Sequence, residues 1–103
     1  MIHDLKIWPQ YYCRVADGSK TFEIRNNDRA FQSGDTVVLK EFDPEPVNPT
    51  SNEPKGYTGA KDLEFTIGYI HVLNSDEVVF SLLQKAKKPT PKASKKTSKK
   101  PNG

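Results

Sequence analysis

Alternating apolar and polar positions predict a protein built mainly from short β-strands. Residues 2–7 alternate, and Leu5 and Ile7 fall on the face that we expect to point inward. The same pattern predicts strands over 20–26, 36–42, 63–73 and 78–83, with Val37 and Leu39 buried in the third. The last two form an antiparallel hairpin, and the final strand is apolar on both faces, as expected of a central strand. Gly68 predicts a bulge or bend.

A short helix is predicted between the first two strands. Pro9 suits its first turn, Trp8, Tyr12 and Val15 follow helical spacing, and Gly18 is well placed to end it. We expect this helix to lie against the sheet. Its aromatic side chains are then interpreted as packing groups rather than as a platform for stacked bases.

Residues 18–29 combine five charged side chains with two large apolar ones. Phe22 and Ile24 are two residues apart, so we expect both to face inward and Thr21, Glu23 and Arg25 to share the opposite face. Two interpretations follow. Glu23 and Arg25 form either an exposed ion pair, worth less than about 1 kcal/mol, or the wall of a binding cleft.

Charge divides the chain into a domain over 1–84 and a tail over 85–103. Residues 1–84 hold eight basic and thirteen acidic groups, a net charge of −5, whereas the tail holds eight lysines and no acid. The tail is predicted to be disordered. It is interpreted either as a non-specific contact to nucleic acid or as a solubilising extension. Residues 43–56 contain four prolines and are predicted to form an irregular loop with extended stretches.

Several kinds of site are missing from the sequence. The cysteine and the two histidines, Cys13, His3 and His71, match no common metal-ligand spacing, so no metal site is predicted. Neither a glycine-rich phosphate loop nor a nucleophile elbow occurs, and no cofactor is predicted. No apolar run approaches the length of a membrane span, no signal peptide is visible and no internal disulfide can form. We therefore expect a cytoplasmic protein that is a monomer and does not enter membranes.

Residues 18–25 fit the pattern G-x-K-x-x-E-x-R and resemble the signature of the ASCH domains, members of the PUA-like superfamily. The resemblance extends over residues 2 to about 83, through the blocks 3–7, 20–29, 34–35 and 57–59. It is specific to a bacterial and phage branch known as domain of unknown function 3850. The resemblance implies an α+β fold, a small, mostly antiparallel PUA-like β-barrel with one or two short helices.

The resemblance also implies a function. Family members are expected to bind RNA or nucleotides in a cleft beside the signature strand. Lys20, Glu23 and Arg25 carry over as the motif's own polar residues; four more match the narrower branch, namely His3, Lys6, Asp28 and Arg29. From its position, His3 is interpreted either as a packed residue near the core or as part of the cleft. Lysine and arginine side chains suit phosphate, and a glutamate can accept a hydrogen bond from a base.

Two other classes of function stay open. Some ASCH relatives are amidohydrolases of modified cytidines, and others are proposed ribonucleases acting on single-stranded RNA. Lys20 matches the catalytic lysine of the amidohydrolases, but Glu23 occupies the position of their threonine, and Thr21 is only a neighbour in sequence. For a ribonuclease, Lys20 and Glu23 would serve as acid and base. The other class is a phage-type interaction protein with a host protein as partner, which fits the acidic charge of residues 1–84.

Overall fold

The computed structural model describes residues 1–84, which form six strands and one helix. In chain order these elements are β1 (Ile2–Ile7), α1 (Pro9–Ala16), β2 (Phe22–Asn26), β3 (Thr36–Pro46), β4 (Pro54–Tyr57), β5 (Leu63–Val72) and β6 (Glu77–Gln84). The predicted tail from residue 85 onward lies outside the described residues. Within residues 1–84, no helix has the length and apolar character needed to cross a membrane.

The strands form an open sheet in the order β1-β3-β5-β6-β2, and β4 pairs with β3 beside this path. β1 and β3 run parallel, whereas every other pair is antiparallel. The predicted β5–β6 hairpin and the internal position of β6 are confirmed. In this order β1 has β3 as its one neighbour and β2 has β6 as its one neighbour. β1 and β2 are therefore the two outer strands.

The core lies between one face of the sheet and α1. The predicted inward residues of β1 and β3 are confirmed, since all four are almost inaccessible to solvent: Leu5, Ile7, Val37 and Leu39. β5 and β6 complete the core with Ile67, Val78, Phe80 and Leu82, and α1 contributes Val15. Burial of these aliphatic and aromatic groups is the main stabilising contribution of the fold.

The prediction of an irregular loop over residues 43–56 is wrong in part. β3 continues to Pro46, and β4 pairs with this extension through Phe42 with Tyr57 and Pro46 with Pro54. Only the connection over 47–53 lacks strand structure. Proline lacks a backbone N–H but keeps its carbonyl, so it is tolerated in a short strand outside the main path of the sheet.

Gly68 marks the predicted bulge in β5. The register between β5 and β6 shifts between Ile67 and Ile70, and the backbone N–H of Tyr69 donates to Ser81 Oγ over 2.9 Å. A methyl group on Gly68 would overlap this hydroxyl and would touch Leu83. Glycine fits here because a side chain would have to displace the Ser81 hydroxyl and the Leu83 side chain.

His3 lies in the core rather than in a cleft. Its ring is 3% exposed and packs against Phe31 at a centroid distance of 4.7 Å. Its Nε2 donates to Asp35 Oδ2 over 2.8 Å, and the same carboxylate oxygen accepts the backbone N–H of Gln32. The hydrogen bond from His3 is the largest of the effects that hold the pKa of Asp35 below its usual value of 3.8.

Substitution of Gly68 by Ala should destabilise the protein by about 1–3 kcal/mol, since the added methyl overpacks the bulge. Urea unfolding followed by circular dichroism measures the change. The matched comparison is the same substitution in a Ser81→Gly background, where the hydroxyl is gone and the cost should be smaller. Equal costs in the two backgrounds would contradict the close approach of Gly68 to Ser81.

Acid should weaken the fold partly through Asp35. Its folded pKa is lowered, so its carboxylate stabilises the fold above pH 4, and this contribution is lost as the pH falls through the folded pKa. Unfolding measured from pH 6 down to pH 2 should therefore show a shallower loss of stability in Asp35→Asn than in the unchanged chain. Glu45→Gln removes an exposed carboxylate elsewhere and serves as the control. Parallel curves for Asp35→Asn and the unchanged chain would contradict the prediction.

Candidate functional site

A cavity of about 600 Å³ opens where β1 and α1 meet β2. We call it the edge cavity, because both outer strands of the sheet line it. Its walls are formed by Lys6, Ile7, Trp8, Tyr11, Lys20, Phe22, Glu23, Ile24, Arg25, Asn26 and Glu77. The sheet therefore curves enough for residues of β1 and β2 to share one cavity.

The prediction that Phe22 and Ile24 face inward is wrong. Phe22 is 42% and Ile24 51% exposed, whereas Glu23 is 3% exposed. Glu23 is the register partner of Phe80, which is in the core, so the carboxylate points toward the interior face of the sheet. β2 thus turns its charged residues toward the core-facing side of the sheet and its apolar residues toward the opposite side.

The burial of Glu23 is possible because two cations neutralise it. Lys20 Nζ lies 2.5 Å from Oε1, and Arg25 reaches Oε2 through Nε at 2.9 Å and Nη2 at 2.6 Å. Both carboxylate oxygens are therefore occupied. A buried carboxylate costs several kcal/mol unless it is paired and hydrogen-bonded, and this arrangement offsets that cost. We call Lys20, Glu23 and Arg25 the charge triad.

The end of α1 positions Lys20 for the triad. The helix stops at Ala16, and Gly18 takes a φ of +84°, the left-handed conformation typical of the residue after a helix. The Ser19 hydroxyl and N–H both donate to Asp17, which lowers the pKa of that carboxyl. The N–H of Lys20 then donates to the carbonyl of Arg14.

Lys20 consequently precedes β2, which begins at Phe22 rather than at residue 20. The alternation of the strand does not apply to Lys20, and its side chain reaches Glu23 directly. Its ammonium also donates to the carbonyl of Phe22 over 2.6 Å.

The edge cavity joins cations to aromatic rings. Lys20 Nζ lies 4.8 Å from the centroid of Phe22 and 5.8 Å from that of Tyr11. Lys6 lies 4.3 Å above the ring of Phe42, and it has no ion pair with any residue of 1–84. Arg25 uses Nε and Nη2 on Glu23, which leaves Nη1 without a hydrogen-bond partner among the same residues. The cavity thus offers cationic donors to an anionic ligand.

The structure brings together four of the predicted site residues: Lys6, Lys20, Glu23 and Arg25. Arg29 lies in a neighbouring cavity, where its Nη1 donates to the carbonyl of Asp4 over 3.2 Å. Thr21, Asp28 and His3 do not line the edge cavity. Thr21 therefore lies outside the cavity that contains its suggested catalytic partners.

Sequence reasoning missed the aromatic part of the cavity. Trp8 and Tyr11 were expected to pack, but they are 37% and 47% exposed and line the edge cavity, whereas Tyr12 packs against the core. The available signal was that Tyr11 is off the helical face shared by Tyr12 and Val15. Asn26 and Glu77, at the facing ends of β2 and β6, were missed because strand pairing brings them together.

The described residues contain no group of three histidine, cysteine, aspartate or glutamate side chains that could hold a metal ion. The chemistry that the edge cavity supports is recognition of an anion by Lys6, Lys20 and Arg25 beside aromatic surfaces. Because both oxygens of Glu23 are taken up by Lys20 and Arg25, its role in this geometry is to hold these cations in place.

Comparison with known proteins gives a family match and a partial relative. A family model described as a domain of unknown function, DUF3850, matches residues 2–82. A protein of Escherichia phage P2, described as an uncharacterized 12.9 kDa protein in the GpA 3′ region, is 39% identical over 41 residues. That segment covers 40% of this chain and 38% of the phage protein. The match to the phage protein therefore spans well under half of either chain.

Replacing Glu23 by Gln should destabilise the protein by about 1–3 kcal/mol, because two cations lose their counter-charge while the shape is kept. Chemical unfolding measures the difference. Glu77→Gln is the matched control, since Glu77 lines the same cavity but has no ion pair within residues 1–84. A loss of stability no larger for Glu23→Gln than for Glu77→Gln would contradict the structural role of the triad.

Proposed function

The chain belongs to the DUF3850 family, and from this premise we propose that it is an RNA- or nucleotide-binding module whose ligand occupies the edge cavity. One observation carries the proposal. Three cations and three exposed aromatic side chains line one cavity, in a part of the chain whose net charge is −5. Cations beside exposed aromatic rings match a ligand that has both a phosphate and a base.

In this proposal the two kinds of side chain have separate roles. Lys6, Lys20 and the free Nη1 of Arg25 bind phosphate. Glu23 holds the guanidinium of Arg25 in one orientation, so this side chain loses little conformational entropy when the ligand binds. Trp8, Tyr11 and Phe22 offer faces for a base, where each stacked base contributes about 1–3 kcal/mol. Asn26 and Glu77 at the rim can exchange hydrogen bonds with base edges.

We further propose that the fold is the PUA-like barrel of the ASCH domains. The support is that β1 and β2, the outer strands of the sheet order, line the same cavity. In a barrel of this kind the cavity is the gap where the two edges approach.

The tail over 85–103 adds general affinity for nucleic acid in this proposal.

Binding is favoured over hydrolysis by the contacts of Glu23. A general acid or base needs an oxygen that can reach the substrate, and both oxygens of Glu23 already accept hydrogen bonds from Lys20 and Arg25. Thr21, the nucleophile that an amidohydrolase would need, does not line the cavity. We therefore assign the triad to binding.

Lys6→Ala should weaken binding of a short single-stranded RNA about tenfold, since one charge-assisted phosphate contact contributes roughly 1.5 kcal/mol. Lys6 is the cleanest probe of the cavity because it takes no part in the triad and its removal leaves Glu23 neutralised. Lys20→Ala and Arg25→Ala should weaken binding as well. Fluorescence anisotropy of labelled RNA measures the affinities.

Two comparisons make this measurement decisive. Lys61→Ala removes a cation outside the edge cavity and should change the affinity less than twofold. A chain ending at Gln84 separates the contribution of the tail. If that truncation abolishes binding while Lys6→Ala and Lys20→Ala leave the affinity of the full chain intact, the RNA is held by the tail and the proposed site is wrong.

A further inference from the structure

A second cavity adjoins the edge cavity and shares two of its cations. It has a volume of about 340 Å³, and both Lys6 and Arg25 line it. Its other walls bring in two more cations, Arg29 and Lys40, and the exposed ring of Tyr57. The two cavities are therefore neighbours along the same edge of the sheet.

Positive charge is concentrated along this pair of cavities. Five of the eight cations of residues 1–84 line them, against three of the thirteen acids. The other residues of 1–84 carry three cations and ten acids, and two of these acids, Asp28 and Asp62, lie beside Arg29 and Lys40. An anionic ligand is therefore attracted mainly to these two cavities, which together are longer than either one.

Two of the cations stand directly opposite each other. Lys6 and Lys40 are register partners in the parallel pair β1–β3, so their side chains leave the same face of the sheet. Like charges in this relation repel each other. Lys40 is paired with Asp62 at 2.8 Å, which raises the pKa of its ammonium, whereas Lys6 has no such partner within residues 1–84. An anion bound over this face of the sheet, between the two ammonium groups, would reduce the repulsion.

Arg29 is held at the far side of the second cavity. Its Nη1 donates to the backbone carbonyl of Asp4, and its nearest carboxylate contact, Nε to Asp28 Oδ1, is long at 3.8 Å. The side chain is about half exposed, and Nη2 has no hydrogen-bond partner among residues 1–84. Its guanidinium thus keeps donors for a ligand while the backbone contact fixes its position.

We propose that the second cavity binds the next phosphate of a nucleic acid strand whose first nucleotide lies in the edge cavity. The ligand class is then an oligonucleotide with at least two phosphates, not a mononucleotide. Lys6 and Arg25 lie between the two phosphate positions, and Arg29 and Lys40 hold the second. Tyr57 offers a surface for the second base. This inference rests on the proposed function and specifies its ligand.

The test compares two ligands with the full chain. Adenosine 5′-monophosphate fills one phosphate position, and single-stranded tetra-adenylate RNA spans both; calorimetric titration measures each affinity. The double variant Arg29→Ala/Lys40→Ala should bind the tetranucleotide about tenfold more weakly, while its affinity for the monophosphate changes less than twofold. The slope of log K against log salt concentration for the tetranucleotide should fall by about 0.7, the value for one lost phosphate contact.

A double variant with two cations outside both cavities, Lys55→Ala/Lys61→Ala, controls for the loss of net charge, and thermal unfolding checks that each variant is folded. If Lys6→Ala weakens both ligands but Arg29→Ala/Lys40→Ala behaves like this control, the second phosphate site is wrong and the proposed function stands. If neither ligand depends on Lys6 or Lys20, both proposals fail. Binding of an acidic peptide in place of RNA, lost in the same variants, would also overturn the nucleic acid assignment.

Discussion

The structure of the site depends on one buried carboxylate. Glu23 is on the core-facing side of β2, opposite Phe80, and its two carboxylate oxygens accept hydrogen bonds from Lys20 and Arg25. The three side chains fix one another. Lys20 connects the end of α1 to β2, so the triad also helps to position the helix, which begins after Trp8 and carries Tyr11. A charge cluster in the cavity thus stabilises the wall on which the aromatic residues lie.

This arrangement explains how an acidic domain can present a cationic surface. One carboxylate holds two cations in place, and Lys6 is added from β1 without any acid to neutralise it. Along the edge the track continues to Arg29 and to Lys40, which is paired with Asp62. Charge segregation of this kind directs an anionic ligand to one edge and disfavours its binding to the other faces.

Much of the fold could be predicted from local pattern, and the site only in part. Alternation identified the buried residues of β1 and β3 because there the apolar side chains simply face the core. It failed for β2, where neutralisation by Lys20 and Arg25 lets Glu23 take the inner face and leaves Phe22 and Ile24 outside. The pairing of β1 with β3 depends on contacts far apart in sequence, which no local pattern contains. The aromatic part of the cavity was missed for the same reason, since the cavity forms between separate elements.

The central claim is that a nucleic acid strand binds between β1 and β2. Titration of the isotopically labelled full chain with single-stranded tetra-adenylate RNA, followed by amide chemical shifts, tests it most directly. We predict that the largest shifts occur at residues 6–11 and 20–26 and at the indole N–H of Trp8. Shifts confined to residues 85–103, with those two segments unmoved, would contradict the account.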